Sequence, residues 1–358
     1  MIAIKRPAVC LSPDQQHKQR AAVQQMQAIL TAVNQSHPYR LLRTQDRRAL
    51  LQKGYARDLV ENLVYMTLRP QPGLSVQHGD RLMIGFTQAA FDPSLYGCDN
   101  ISEALIKANQ GCCSWCERLI AANDGAVFHY RPPCGYLQGL DIQRTAYYAL
   151  AYDVNNLLFA CGDCAQRYKG NHFPVISGPH MPDVSECAER PSLVNPYGED
   201  PRQFIRFNPM NACAYGFDEV VAFYQQTKGL SVEQTADLVS ADPGRIPDQQ
   251  DIRGHRLSDS SVDRAYQQWL CGCANSGQTP RRGQSTIDCL GLNRPALVYA
   301  RAAQLRDWRL AWLGWSEKSD KVCDNPLAEQ APVQFRSLFI DACNTWQQAQ
   351  CAQGTAHD

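Results

Sequence analysis

The chain has 358 residues, 44% hydrophobic and 20% charged, a composition that suits a soluble globular protein of two or three packed units. Its 35 basic and 35 acidic side chains cancel, which weighs against a free-standing nucleic-acid binder with a broad basic face but not against a local groove or a positively charged partner. No apolar run approaches the roughly 18 residues of a membrane-spanning helix, no charged-then-apolar leader opens the sequence, and 16 cysteines fall below the density of a disulfide scaffold. The expectation is a cytoplasmic protein without a membrane partner, in which thiols stay reduced and available to metals.

The chain divides by pattern into an N-terminal helical region, 1–97, a central unit, 98–208, and a mainly helical C-terminal region, 209–358. Ser12-Pro13-Asp14-Gln15 has the form of a capping box with proline at the first helical position, and Val23, Met26, Leu30 and Val33 then recur at helical spacing. A second helix is expected over about 45–66, with Leu50, Leu59, Leu63 and Met66 inward and Arg47, Arg48, Lys53 and Arg57 on a solvated or phosphate-facing side. Prolines and glycines mark 69–80 as a loop. Ser102 is a candidate cap for a short helix through Lys107.

Two Cys-x-x-Cys pairs follow, Cys113/Cys116 and Cys161/Cys164. Four thiolates at about 2.3 Å form a closed tetrahedral Zn2+ site, and such a site adds folding energy. The alternative is two unrelated pairs of buried cysteines. Cys112 adjoins Cys113 but lacks the two-residue spacing to Cys116, and Cys271-Gly-Cys273 suits a tetrahedral ion poorly. Between the pairs, Asn123-Asp124-Gly125 predicts a hairpin joining 117–122 to 126–130, with His129 on its second strand. Residues 165–169 are helix-compatible before Gly170 and Pro174 stop them.

His129 reads by default as a packed or solvated histidine. Held beside Arg131 by two zinc knuckles, a neutral imidazole could instead take a proton from water over a phosphodiester. Asn155 and Asn156 brace a loop or form a plain turn, and Arg167, Arg131 and Lys169 are phosphate contacts or solvated cations. Farther on, 190–208 reads as an extended wrap. Helices are expected at 218–226 and after Ser231, the latter with a Ser-x-x-Gln cap, and at 262–270 inside a long loop over 242–282. A last helix lines up Val298, Leu305, Trp308 and Trp312 and exposes Arg301, Arg306 and Arg309.

The arrangement from Cys113 to Pro174 resembles the HNH (ββα-metal) endonucleases, and within them the cysteine-framed PtuB-like branch associated with Septu and retron antiphage systems. The stretches PSLVNPYGEDPRQFIRF (191–207) and STIDCLGLNRPALVYAR (285–301) are similar to patterns of that branch. The resemblance implies an α+β fold, a zinc-stapled ββα core surrounded by N- and C-terminal helices. It implies a nuclease that hydrolyses nucleic acid, DNA rather than RNA, beside a PtuA-like ATPase. His129 matches the general base, Asn156 the residue that orients the histidine loop, and the four cysteines the structural zinc ligands.

Two positions depart from the pattern. The branch carries Glu or Asp before the histidine and Asn or His after the last cysteine, where this chain has Phe128 and Ala165. Those side chains hold the catalytic Mg2+ or Mn2+ in the branch, and neither phenylalanine nor alanine ligates such an ion. Asn171 and His172 approach that place only if the helix breaks at Gly170. The rival reading is therefore a catalytically degenerate HNH-fold zinc protein, a scaffold or interaction subunit. A redox protein using Cys-x-x-Cys is a third, lesser option.

Overall fold

A computed structural model describes residues 1–36, 44–65, 84–121, 124–138, 141–143, 147–177, 190–247, 281–316 and 332–354. The fold is α+β, with helices of various lengths and short antiparallel strand pairs. It divides into two compact units: Arg6–Asn109 with Asp124–Pro191, and Met1–Lys5, Gln110–Asn123 with Ser192–Asp358. No helix among the described residues is long and apolar enough to cross a membrane.

The unit containing Arg6–Asn109 opens with α1 (Pro13–Ser36). Its capping box forms as the sequence predicts: the Gln15 N–H donates to Ser12 Oγ at 3.1 Å, and the Ser12 N–H to Gln15 Oε1 at 2.9 Å. Met26, Ile29, Leu30 and Val33 form its buried stripe and pack with Leu50, Leu59, Leu63, Phe86 and Phe91. The long helix expected over 45–66 is instead α2 (Thr44–Gln52), α3 (Arg57–Glu61) and strand β1 (Leu63–Tyr65). Gly54, at φ 84°, turns the chain out of α2, and the β-forming Leu63-Val64-Tyr65 pairs with β2 (Ile84–Phe86). Met66 and the 69–80 loop lie outside the described residues.

Asp92 caps the short α4 (Pro93–Tyr96), and α5 (Asp99–Ala108) starts after Cys98, earlier than the cap expected at Ser102. The Ser102 hydroxyl donates back to the Gly97 carbonyl from within the helix.

The centre of this unit is an antiparallel pair, β3 (Gly125–His129) and β6 (Leu157–Cys161), with Gly125 opposite Cys161 and His129 opposite Leu157. The expected hairpin between 117–122 and 126–130 is thus incorrect. The 117–121 backbone is used elsewhere: Arg118 accepts from the Cys113 N–H, Gly111 from Ile120, and Glu117 from Phe335. Strand β6, apolar and buried at every position, takes the place beside β3. Between them in sequence, β4 (Tyr136–Gln138) pairs with β5 (Asp141–Gln143). After β6 a wide helical turn, Asp163–Lys169, ends at Gly170, whose φ of 48° breaks the helix. Then β7 (Val175–Ser177) pairs with β8 (Arg190–Pro191).

In the other unit, β9 (Ile205–Phe207) pairs with β10 (Ala214–Gly216) and leads into α6 (Phe217–Lys228) and α7 (Val232–Ala241). The Ser231–Gln234 capping box forms as expected. Helices α8 (Arg282–Leu290), α9 (Pro295–Ser316) and α10 (Arg336–Gly354) complete it. A side chain at Gly283 would collide with the Phe204 carbonyl, so α8 approaches β9 through a glycine.

The family-like motifs act here as backbone clamps. Asn293 donates to the Ala214 carbonyl and accepts from its N–H, and Thr286 accepts from Val194. Asp200 caps the turn at Arg202. Arg301, expected on the outer face of its helix, is fully buried. Its guanidinium lies over the Phe207 ring and donates to the Leu292 carbonyl at 2.7 Å, so it behaves as a packing residue. The 262–270 segment and Cys271-Gly-Cys273 lie outside the described residues.

Candidate active site and metal centre

The geometry around His129 is built by the backbone of the β3–β6 connection. His129 ends β3, and its Nε2 lies 2.8 Å from the Ala151 carbonyl oxygen. A carbonyl only accepts, so Nε2 carries the hydrogen and Nδ1 keeps its lone pair. Burial is the main influence on the ring's basicity and pushes its pKa down to about 4. The Lys169 ammonium lowers it further, against the Ala151 carbonyl. His129 is therefore neutral at physiological pH.

Asn156 positions this connection. Buried at 2% exposure, its Oδ1 accepts from the Arg131 N–H at 2.7 Å, while Nδ2 donates to the carbonyls of Arg131 at 2.9 Å and Leu150 at 3.1 Å. The Leu150 carbonyl immediately precedes Ala151, whose own carbonyl holds the imidazole. Asp153 closes the turn by accepting from the Asn155 N–H. Asn155 is exposed.

Two participants escaped the sequence reading. Arg6 donates to the carbonyls of Val154, Asn155 and Leu157, capping the turn that carries Asn156. The Tyr96 ring meets the imidazole edge-on at 4.6 Å between centroids. Neither has a local signature: Arg6 follows Lys5 in an irregular segment, and Tyr96 ends a one-turn helix.

His129 faces a cavity of about 690 Å³ whose walls include Phe128, Ala165, Lys169 and Asn171. Both departures from the HNH pattern therefore line it. Lys169 is only 2% exposed, so it is not a solvated surface cation. Arg131 is not among the lining residues; its guanidinium lies over the rings of Tyr130 and Phe173 at 5.3 and 5.5 Å. Arg167 lies over Tyr168. The break at Gly170 brings Asn171 to the wall, where its Oδ1 accepts from the Cys134 thiol, whereas His172 is exposed.

The structure brings together Cys113, Cys116, Cys161 and Cys164. All four are buried, with sulfur atoms within 4.8 Å of one another. Thiolates around one Zn2+ at about 2.3 Å lie roughly 3.8 Å apart, so this donor set fits a structural zinc ion. Arg294, buried, points Nη2 at Cys116 Sγ at 3.9 Å, a suitable countercharge for a centre carrying four thiolates. Cys112 lies outside the cluster, and its thiol donates to the Val333 carbonyl.

The same test gives the opposite answer for Mg2+ or Mn2+ in the cavity. These ions take hard oxygen ligands, chiefly carboxylates, and none of the described residues lining the cavity is Asp or Glu. Among the described residues, the four cysteines form the one cluster of His, Cys, Asp and Glu groups placed to hold a metal.

The fold and these sites define an α+β protein with a buried tetracysteine centre and a histidine-lined cavity. Over 117 residues the chain is 30% identical to Septu protein PtuB of Bacillus mycoides (strain KBAB4), a stretch covering 31% of this chain and 40% of that relative. The match supports a PtuB-like relation, and the chain spans less than half of the relative's length. No protein-family profile and no solved structure matches the chain.

Proposed function

We propose that this chain is the nuclease component of a Septu-type antiphage defence system, hydrolysing phosphodiester bonds of nucleic acid, DNA rather than RNA, with a PtuA-like ATPase as partner. The observation that carries the reading is the set imidazole: Nε2 tied to Ala151, Nδ1 with its lone pair, at the end of β3 opposite the start of β6. The similarity to PtuB supplies the defence context.

In the reaction, His129 Nδ1 takes a proton from water while the water oxygen bonds to phosphorus. The bond from phosphorus to the leaving oxygen breaks, and solvent protonates that oxygen. Asn156 acts through the backbone, holding the Leu150–Ala151 segment that fixes the ring. A catalytic Mg2+ or Mn2+ belongs to the HNH resemblance, but the cavity lacks its usual ligands, and no step here passes through it.

The second reading, a zinc-stapled scaffold without cleavage, is favoured by Phe128 and Ala165. The test is to co-express and co-purify the chain with a PtuA-like ATPase and to assay plasmid DNA and RNA. Cleavage that disappears in His129→Ala is the expected result. No cleavage of either substrate, with the partner and with Mg2+ or Mn2+ added, would leave the scaffold reading.

A further inference from the structure

We propose that the His129 cavity binds a nucleic-acid phosphodiester through the Lys169 ammonium in place of a divalent cation, so that phosphate recognition there is independent of Mg2+ and Mn2+. The inference rests on the nuclease reading for its choice of ligand, and its own basis is the composition of the wall.

The two positions where the resemblance expects metal ligands are Phe128 and Ala165, and both line the cavity. No carboxylate replaces them among the described lining residues. The polar groups that remain, including Asn171, Gln166 and Ser102, are neutral. Among the described lining residues one is a cation: Lys169, four residues beyond Ala165 and so close to one turn along the same wide helical segment. It is buried, and its Nζ donates to the carbonyl of Gly170, another lining residue. Its charge reaches the imidazole, whose basicity it lowers.

With His129 neutral, the charge on the described lining side chains is positive. Such a wall repels a dication and attracts an anion, and the low dielectric strengthens both effects. A phosphodiester carries one negative charge and presents acceptor oxygens. Lys169 can then neutralise charge on the phosphate oxygens, the task a metal ion performs in the resembling enzymes, while Nδ1 of His129 addresses water.

The test follows the His129 imidazole by NMR as zinc-loaded protein, with other divalent ions removed and zinc content verified, is titrated with thymidylyl-thymidine monophosphate or inorganic phosphate. Saturable shifts with the dinucleotide that are the same with and without Mg2+ are expected, together with at least a tenfold weakening in Lys169→Met and recovery to within a few-fold in Lys169→Arg. A shift that requires Mg2+, or Lys169→Met binding as the parent does, overturns the proposal. A response to inorganic phosphate but not to the dinucleotide overturns the assignment to a strand. If Lys169→Met does not fold, the wild-type titration decides through its dependence on Mg2+. Metal-free binding without any cleavage sinks the nuclease reading and leaves this one standing; cleavage that needs Mg2+, without metal-free binding, does the reverse.

Discussion

At the scale of the residue, His129 shows how burial determines chemistry. An imidazole with an ordinary pKa near 6.5 would be partly charged at neutral pH, whereas this one is held at about 4. It is a weaker base than a solvent-exposed histidine, but always in the form that can accept a proton, so an acid limb in a cleavage profile should lie near pH 4 rather than 6.5. The same shift acts on folding. Between about 4 and 6.5 the unfolded chain binds the extra proton and the folded chain does not, so the contribution is complete above about 6.5 and is lost progressively as pH falls to about 4. The total is on the order of 3 kcal/mol. An NMR titration of the ring should give the low midpoint, and urea unfolding at pH 7 and 4.5 should show a larger drop for the parent than for His129→Gln. A ring that titrates near 6.5 would mean that water reaches it freely.

At the scale of the element, the β3–β6 connection separates what is local in the sequence from what is not. Asp124-Gly125 is a sound turn signal, but it carries no information about which strand pairs with the one it starts. That was decided by Leu157-Leu158-Phe159-Ala160-Cys161, fully apolar and thus able to be buried on both faces, while 117–121 was already committed to the knuckle turn at Cys113. Asn155 and Asn156, by contrast, were legible only as a brace or a plain turn before an apolar strand; the three side-chain hydrogen bonds belong to Asn156, while Asn155 is exposed. Asn156→Ala leaves one donor and two carbonyl acceptors without their partner in a buried site, a cost of about 2–4 kcal/mol. Asn156→Asp keeps an acceptor for the Arg131 N–H but turns a carboxylate oxygen toward two carbonyls, and should cost more at pH 7 than the alanine. Chemical denaturation midpoints measure both, and equal midpoints for Asp and Asn would refute the assigned amide orientation.

At the scale of the whole molecule, spacing was the most readable signal and three-dimensional neighbourhood the least. The Cys-x-x-Cys spacing picked out the four cysteines that cluster and could hold a metal such as zinc, and the sequence also set Cys112 apart from them, because coordination geometry constrains short intervals directly. The helical period gave α1 its buried stripe, yet placed Arg301 outward, because periodicity cannot see that Phe207 and Phe335 offer aromatic faces to its guanidinium. Arg6 and Tyr96 were missed for the same reason: their roles exist only once distant segments meet. The tetracysteine centre is where this has a measurable consequence. Since ligands from positions 113–116 and 161–164 converge on it, metal binding should contribute to the stability of the folded chain, at least about 5 kcal/mol for a closed thiolate site. One zinc per chain is expected by elemental analysis, unchanged in Cys112→Ser and lost or loosely held in Cys164→Ser. Removing the ion with a strong chelator under reducing conditions should lower the melting temperature by about 10 °C or more, and zinc should restore it. A metal-free protein that melts where the zinc-loaded one does would reduce the four cysteines to buried thiols.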